Sequence, residues 1–178
     1  DVIFSFSEEL SGRSLKIIDS VIFTGLDNDG NGGDLSVRAG DSSISNSKLW
    51  TFVDDGESGR LIINARSASI SDADLDTAGF NGISGSVMID IEENLSVTDS
   101  DVTSGVFGDS GDGGTVSISA RSASITTTDI STEASDGNSG TVTIDIEDNL
   151  SITDLGVITD VFDGAGNGGD VSISARSA

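Results

Sequence analysis

The chain has 178 residues, of which 35% are hydrophobic and 22% are charged, and its formal net charge is −23 at pH 7. This acidity excludes partners that are bound through Lys and Arg, namely nucleic acid and anionic membrane surfaces, but it is compatible with cations and basic partners. Histidine and cysteine are absent, which removes the commonest transition-metal ligand and any disulfide, and no apolar run approaches the ~20 residues that span a bilayer.

Residues 1–31 are interpreted as a degenerate first repeat. They begin with the strand-like string DVIFSF, without the basic and long apolar regions of a signal peptide. Four of their apolar positions, Val2, Phe4, Phe6 and Leu10, match Val87, Ile89, Ile91 and Leu95 of a later repeat. Because the other end of the chain, SARSA, falls in mid-repeat, we expect the sequence to be a segment of a longer repeat protein.

The first repeat ends in oxygen-bearing side chains at the spacing of a calcium loop. Asp27, Asp29 and Asn31 occupy positions i, i+2 and i+4 and are followed by Gly32. The twelfth position of such a loop is Arg38 instead of a bidentate acid, which excludes a full EF-hand. A different Ca²⁺ site at these three residues is kept as a hypothesis, and Ca²⁺ is the only cofactor that the sequence suggests.

A glycine turn then recurs at a nearly fixed stride. Its last glycine is found at Gly33, Gly59, Gly85, Gly114, Gly140 and Gly169, so the intervals are 26, 26, 29, 26 and 29 residues. Periods of roughly 20–50 residues indicate a solenoid, in which each repeat stacks on its neighbours because it cannot bury its apolar face alone. The predicted full repeats are 32–57, 58–83, 84–112, 113–138 and 139–167, followed by a partial one at 168–178.

Within each repeat, apolar residues alternate with polar ones, as in VSISAR at residues 116–121. This period of two, rich in β-branched residues, indicates strands and not helices. Three short strands per repeat predict an all-β parallel β-helix of about six coils, with 26–29 residues per coil. Each coil should rise by about 4.8 Å, the spacing between neighbouring strands.

Aligning the repeats on their glycines, with one extra residue in the 29-residue type, predicts columns of side chains. Two inward columns are apolar: Ile44, Ile70, Val97, Ile125 and Ile152; and Leu49, Leu75, Val102, Ile130 and Val157. A third inward column carries hydroxyls, which must hydrogen-bond up and down the stack or remain unpaired at a cost: Thr51, Thr77, Ser104, Thr132 and Thr159.

An outward column alternates in charge: Arg66, Glu92, Arg121, Glu147 and Arg176. It predicts a ladder of ion pairs between coils or, alternatively, a docking site for a charged partner.

Two further outward columns are acidic. The first contains Asp74, Asp101 and Asp129. The second contains Asp72, Asp99 and Asp154, and Thr127 interrupts it. Stacked carboxylates repel each other unless water or a cation screens them, so a weak Ca²⁺-binding edge is one interpretation. The other is that the aspartates cap the backbone at a corner between strands.

Trp50 and Phe52 occupy outward positions of one coil, where they form an apolar patch that contacts a partner or is covered by a neighbouring loop. No catalytic constellation is recognisable, because His and Tyr are absent and the only lysines are Lys16 and Lys48. We therefore expect no enzyme, and a polysaccharide-active enzyme is disfavoured. An ice-binding face is disfavoured too, since Thr126 and Thr128 lack regular threonine counterparts on other repeats.

Four strings carry a family resemblance: NGGDLSV at 31–37, GGTVSISARSASI at 113–125, NSGTVTI at 138–144 and NGGDVSISARSA at 167–178. They resemble the haemagglutinin-repeat exoproteins of two-partner secretion, in particular the filamentous-haemagglutinin-like proteins of cyanobacteria. The resemblance implies a right-handed β-helical shaft that is exported through an outer-membrane pore and displayed at the cell surface. It implies no catalytic residues.

The expected function is that of an extracellular structural or adhesive shaft. Its expected partners are cell-surface or matrix ligands, either glycan or protein, and end-to-end association into fibres is a further expectation. The alternative is a Ca²⁺- or glycan-binding module with its site at residues 27–34 or around Trp50.

Overall fold

A computed structural model describes residues 2–5, 13–26, 30–108, 110–162, 164 and 166–177 of the chain. Among these residues there are ten strands and no helix. The strands are β1 (Val2–Ser5), β2 (Ser14–Ile18), β3 (Val21–Leu26), β4 (Leu35–Glu57), β5 (Leu61–Ile83), β6 (Ser86–Val106), β7 (Gly111–Asp112), β8 (Thr115–Ala134), β9 (Val142–Val161) and β10 (Val171–Ser177).

The strands stack in parallel, in the order β1-β4-β5-β6-β8-β9-β10, with β2 and β3 also paired to β4 and β7 paired to β5. Each long strand lies inside one predicted repeat and bends around one coil, so the chain winds through about six turns. The predicted β-helical fold is therefore confirmed as a β-solenoid. Its pairing is almost wholly between successive coils, which is the nearest-neighbour organisation of a solenoid.

The core is a set of apolar columns along the solenoid axis. Both predicted columns are present in register, for example Ile70 opposite Val97 and Val97 opposite Ile125. Ile125 is fully buried, whereas Ile152 on β9 is 41% exposed because no described strand covers that part of its coil. The predicted extra residue of the long repeats is a β-bulge, since Ile91 and Asn94 of β6 pair with Ala120 and Ser122 of β8.

One corner of every coil is made by a residue in the left-handed conformation. The residues of this corner column have φ between 46° and 55° and are Asp19, Asn46, Asp72, Asp99, Thr127 and Asp154. Asp and Asn tolerate this conformation better than other non-glycine residues because their short polar side chains hydrogen-bond locally. The acidic column of Asp72, Asp99 and Asp154 is thus a column of corners.

A hydroxyl side chain secures most of these corners. Ser20, Ser47, Ser100 and Thr128 each follow a corner residue, and each donates a hydrogen bond of 2.7–3.0 Å to the carbonyl two residues before it. The bond closes a short side-chain turn over the left-handed residue. The corner is therefore a local motif, repeated once per coil.

Thr127 is the one β-branched member of the corner column, with φ of 47°. Because branching at Cβ disfavours this conformation, we expect Thr127→Asn to stabilise the fold by about 1 kcal/mol. Urea unfolding of the variant and wild type measures the difference. Thr126→Asn, at a neighbouring strand position, is the control and should not stabilise. Equal effects at both positions would contradict the prediction.

The side chains of the inward hydroxyl column were expected to hydrogen-bond up and down the stack, but most of them bond to the backbone of a glycine turn. Thr51, Thr132 and Thr159 donate to the carbonyls of the next glycine turn of the chain, those of Gly59, Gly140 and Gly169, at 2.8–3.1 Å. Two inward hydroxyls of the repeat 84–112, those of Ser84 and Ser104, lie 3.0 Å apart and are hydrogen-bonded to each other. The turns can accept these bonds because glycine has no side chain to keep the backbone away from the column.

Candidate functional site

The residues after the left-handed corner form the third side of each coil. We name their outward surface, contributed by residues 23–25, 48–54, 74–80, 101–107, 129–135 and 156–162, the aromatic face. Every aromatic residue whose side chain the structure describes lies on it: Phe23, Trp50, Phe52, Phe80, Phe107 and Phe162. Strand alternation causes this placement, because Leu49, Thr51 and Val53 point inward and the residues between them point outward.

Three rings pack together at one end of the face. The ring centroids of Phe23 and Trp50 are 5.1 Å apart, those of Trp50 and Phe52 are 5.3 Å apart, and both pairs are tilted. Lys48 Nζ lies 5.0 Å from the Trp50 ring centroid, within cation–π range. Trp50 and Phe52 are half-buried and outward-facing, as predicted, and the ring that packs on Trp50 from the preceding coil is Phe23, which is 46% exposed. Phe23 is not among the residues that the sequence pattern singled out.

Two acidic side chains meet Lys48 beside these rings. The Lys48 ammonium lies 3.6 Å from Asp76 Oδ2 and 4.0 Å from Asp74 Oδ2. Burial raises the pKa of Asp76 above its usual value, and the Lys48 charge only partly offsets this. Asp76 Oδ1 and Trp50 Nε1 are buried without a hydrogen-bond partner among the described residues, although Trp50 and Asp76 are opposite each other on neighbouring coils.

The acidic column continues from Asp74 along the axis. Asp74 is opposite Asp101, and Asp101 is opposite Asp129, so this predicted column is present in register. Burial, followed by the charges of Asp74 and Asp129, raises the pKa of Asp101. Within the described part of the chain, no group of three or more His, Cys, Asp or Glu residues is arranged to hold a metal ion.

The proposed calcium loop at the end of the first repeat is described only in part. Asp27 and Asp29 lie outside the described residues. The Asn31 Oδ1 accepts a hydrogen bond of 3.4 Å from the backbone N–H of Glu57 in the next coil. This contact gives Asn31 a role in linking two coils, and the calcium site remains a hypothesis.

Small residues form the middle of the aromatic face. Ala78 and Gly105 are buried and lie in one column, followed along the axis by Glu133 and Asp160. A Cβ on Gly105 would come within 3.1 Å of the Phe107 ring and 3.4 Å of Glu133 Cβ. Both side chains therefore lie directly beside Gly105. Burial and the charges of Asp160 and Asp76 raise the pKa of Glu133. The small residues are therefore covered, since Ala78 is only 3% exposed and the Phe107 ring packs against Gly105.

The outward charged column does not form one uninterrupted ladder of ion pairs. Arg121 pairs with Glu147 at 3.9 Å as expected, but Arg66 pairs with Asp41 at 2.8 Å. Arg176 pairs with Asp148 at 3.1 Å instead of Glu147. Glu92 and Glu147 lie in the bulges of the long coils, where the extra residue shifts which carboxylate meets the arginine. These exposed pairs stabilise the fold only slightly.

A groove with a volume of about 770 Å³ lies away from the aromatic face. Its walls come from β6, β8, β9 and β10, and none of the described residues that line it is charged or aromatic: Asn94, Leu95, Ser122, Ala123, Ser124, Asn149, Leu150, Ser151, Ile152 and Ser177. It therefore offers no general acid or base and no activating partner for a serine. The three carboxylates with raised pKa values, those of Asp76, Asp101 and Glu133, lie on the aromatic face instead.

Comparison with protein-family models, with curated proteins and with solved structures gives no match for this chain. In the part of the chain that the structure describes, no helix is long and apolar enough to cross a membrane.

The acids of the aromatic face predict a pH dependence of stability. The folded-state pKa values of Asp76, Asp101 and Glu133 are raised, so the folded protein binds protons more tightly than the unfolded chain. Stability should therefore rise as the pH falls through the raised pKa values of these groups in the folded state, because they become protonated in the folded protein before they do in the unfolded chain. The opposite contribution of Asp34, whose pKa Arg60 lowers, is lost only at still lower pH.

The melting temperature as a function of pH measures this effect. Asp76→Asn/Glu133→Gln should show a smaller rise on acidification than wild type, because its two side chains no longer ionise. Glu92→Gln/Glu147→Gln has the same change in net charge outside the aromatic face and serves as the control. If both double variants keep the wild-type slope, the raised pKa values do not govern the response.

Proposed function

We propose that this chain is an extracellular structural and adhesive shaft, a β-solenoid that presents one recognition face along its length. The observation that carries the proposal is that all described aromatic side chains lie on one of its three sides. Three of them, Phe80, Phe107 and Phe162, are 48–55% exposed at equivalent outward positions. Exposed aromatic groups of this kind are typical of surfaces that bind partners. The resemblance to haemagglutinin-repeat exoproteins supports the same function.

The mechanism is mechanical and multivalent. Register is kept from coil to coil by the buried columns, so outward side chains repeat along the axis at about 4.8 Å. A partner that spans several coils can form many weak contacts at once, and its apparent affinity then exceeds that of any one contact. The groove of about 770 Å³ has no titratable side chain among the described residues that line it, so it does not support an acid–base enzyme.

Adhesion of the purified chain to immobilised cells, matrix proteins and glycans tests the proposal. Phe107→Ser should reduce adhesion, because Phe107 is 51% exposed on the aromatic face. Met88→Ser is the matched control, since Met88 is 40% exposed but lies on another side of the coil. Absence of wild-type adhesion to every surface, or an equal loss in both variants, would refute an adhesive role for this face.

A further inference from the structure

We propose that Asn94 and Asn149 are acceptor sites for N-linked sugars, and that the attached sugars lie in the groove of about 770 Å³ that both residues line. This inference goes beyond the proposed function, because it concerns a different side of the coil from the aromatic face. It is supported by a tripeptide that occurs twice in the sequence, by the exposure of both amides and by the groove beside them.

The tripeptide Asn-Leu-Ser occurs at residues 94–96 and again at residues 149–151. It has the form Asn-x-Ser/Thr, which is the acceptor pattern for N-linked sugars on the surface of secreted proteins. No other asparagine of the sequence is followed by Ser or Thr at that spacing. Both copies lie in the 29-residue repeats, so they occupy equivalent positions of the solenoid.

Strand alternation turns the asparagine and the serine of each tripeptide to the same outward side. The residues between them, Leu95 and Leu150, are only 3% and 5% exposed and belong to the core. Asn94 and Asn149 are exposed, and each directly follows the β-bulge of its long coil. A sugar is bulky and must project from the surface, and both asparagines meet this requirement.

The amide nitrogens of the two acceptors are not used by the fold. Among the described residues, Asn94 makes no side-chain hydrogen bond, and Asn149 only accepts one at Oδ1, from Ser177 Oγ at 2.7 Å. Asparagines outside the tripeptides differ, since Asn138 and Asn167 donate Nδ2 to an oxygen of the preceding coil at 3.0–3.3 Å. A sugar on either acceptor therefore displaces no hydrogen bond donated by its amide to the described residues.

The groove beside the acceptors has room for the attached sugars. Ser122 lies between them, because it is opposite Asn94 on one coil and opposite Asn149 on the other. The acceptors are thus two coils apart, or about 10 Å along the axis. None of the described residues that line the groove is charged, although the net charge of the chain is −23. An apolar floor with hydroxyl and amide groups around it suits a neutral sugar better than an ion.

The transfer step requires a sugar diphosphate ester as donor and a separate transferase. The asparagine amide nitrogen forms a bond to the anomeric carbon, and the bond between that carbon and the diphosphate oxygen breaks. The diphosphate leaves with the bonding electron pair, and the amide gives up one proton, so nothing is oxidised or reduced. The solenoid itself supplies only the acceptor.

Mass spectrometry of the full chain, isolated from the cells that produce it, tests the proposal. Trypsin cleaves after Arg66, Arg121 and Arg176, so the peptides 67–121 and 122–176 each contain one acceptor. We expect each peptide to gain the mass of at least one sugar residue, and fragmentation to locate the sugar on the asparagine of the tripeptide. An unmodified peptide would overturn the assignment of its acceptor, as would a sugar located on a serine instead.

Variants produced in the same cells separate the tripeptide from its surroundings. Ser96→Ala should abolish the modification of Asn94 and leave Asn149 modified, whereas Ser96→Thr should retain both. Ser124→Ala is the matched control, because Ser124 is opposite Ser96 on a coil without the tripeptide, and both acceptors should stay modified. Circular dichroism establishes that the variants are folded. Modification of Asn94 in Ser96→Ala, or its loss in Ser124→Ala, would contradict the role of the tripeptide.

Discussion

Replacing Gly114 with alanine is expected to destabilise the solenoid by about 3 kcal/mol or more. The last glycines of successive turns stack directly on one another. A Cβ on Gly114 would overlap the carbonyl oxygen of Gly85 and would also meet the hydroxyl of Ser104. The main obstacle is backbone, which cannot rotate away as a side chain can, so the coils on both sides of the turn must separate.

Gly79→Ala is the control for this substitution. A Cβ at Gly79 would meet Val106 Cγ2 at 3.6 Å and two carbonyl oxygens at 3.9 and 4.0 Å, which are ordinary contacts. Alanine there should change the stability by less than about 1 kcal/mol, because it also reduces the freedom of the unfolded chain. Urea unfolding of both variants gives the comparison. Similar losses at the two positions would show that glycine is not required by the stacking of turns.

Ile125→Ala is expected to cost about 3–4 kcal/mol. Ile125 is fully buried in the middle of its column, with Val97 on one side and Ile152 on the other. Truncation leaves a cavity that the flanking coils cannot close without breaking their own backbone pairing. The same change at Ile152, which is 41% exposed, should cost only about 1 kcal/mol.

The two isoleucine variants differ in burial but not in chemistry or column. Equilibrium unfolding in urea measures each loss against wild type, and the ratio between them is the informative quantity. Equal losses would mean that burial within the column does not determine its contribution. A large loss at Ile152 alone would indicate that this part of the chain is covered by another element.

Most of the fold could be predicted from the sequence because each repeat of a solenoid contacts only the repeats before and after it. The glycine stride places each repeat on the next, and alternation then decides which side chains point inward. The pairing of Leu49 with Leu75 and of Thr77 with Ser104 follows from these two periods alone. The bulge near Glu92 was also predictable, since it is one extra residue in the repeat.

The corners and the ion pairs were less accessible to sequence reasoning. The acidic column of Asp72 and Asp99 suggested either a metal-binding edge or side chains that cap the backbone between strands. Only the left-handed backbone conformation of these residues shows that they form the corners of the coils. Asn46 belongs to the same column, but it carries an amide instead of a carboxylate, so the acidic pattern in the sequence does not include it. Arg66 was placed opposite Glu92 by counting, yet it pairs with Asp41 because a long side chain selects among several acids within reach.

The sequence by itself determined the coils, their register and the inward columns, because these depend on periodic spacing and on the burial of apolar side chains. It also indicated that Trp50 and Phe52 point outward. Only the tertiary structure decided that Phe23 packs on Trp50 from the preceding coil, and that Phe107 and Glu133 meet beside Gly105. Such contacts join residues of different coils through particular side-chain conformations, and a repeat period carries no information about those conformations.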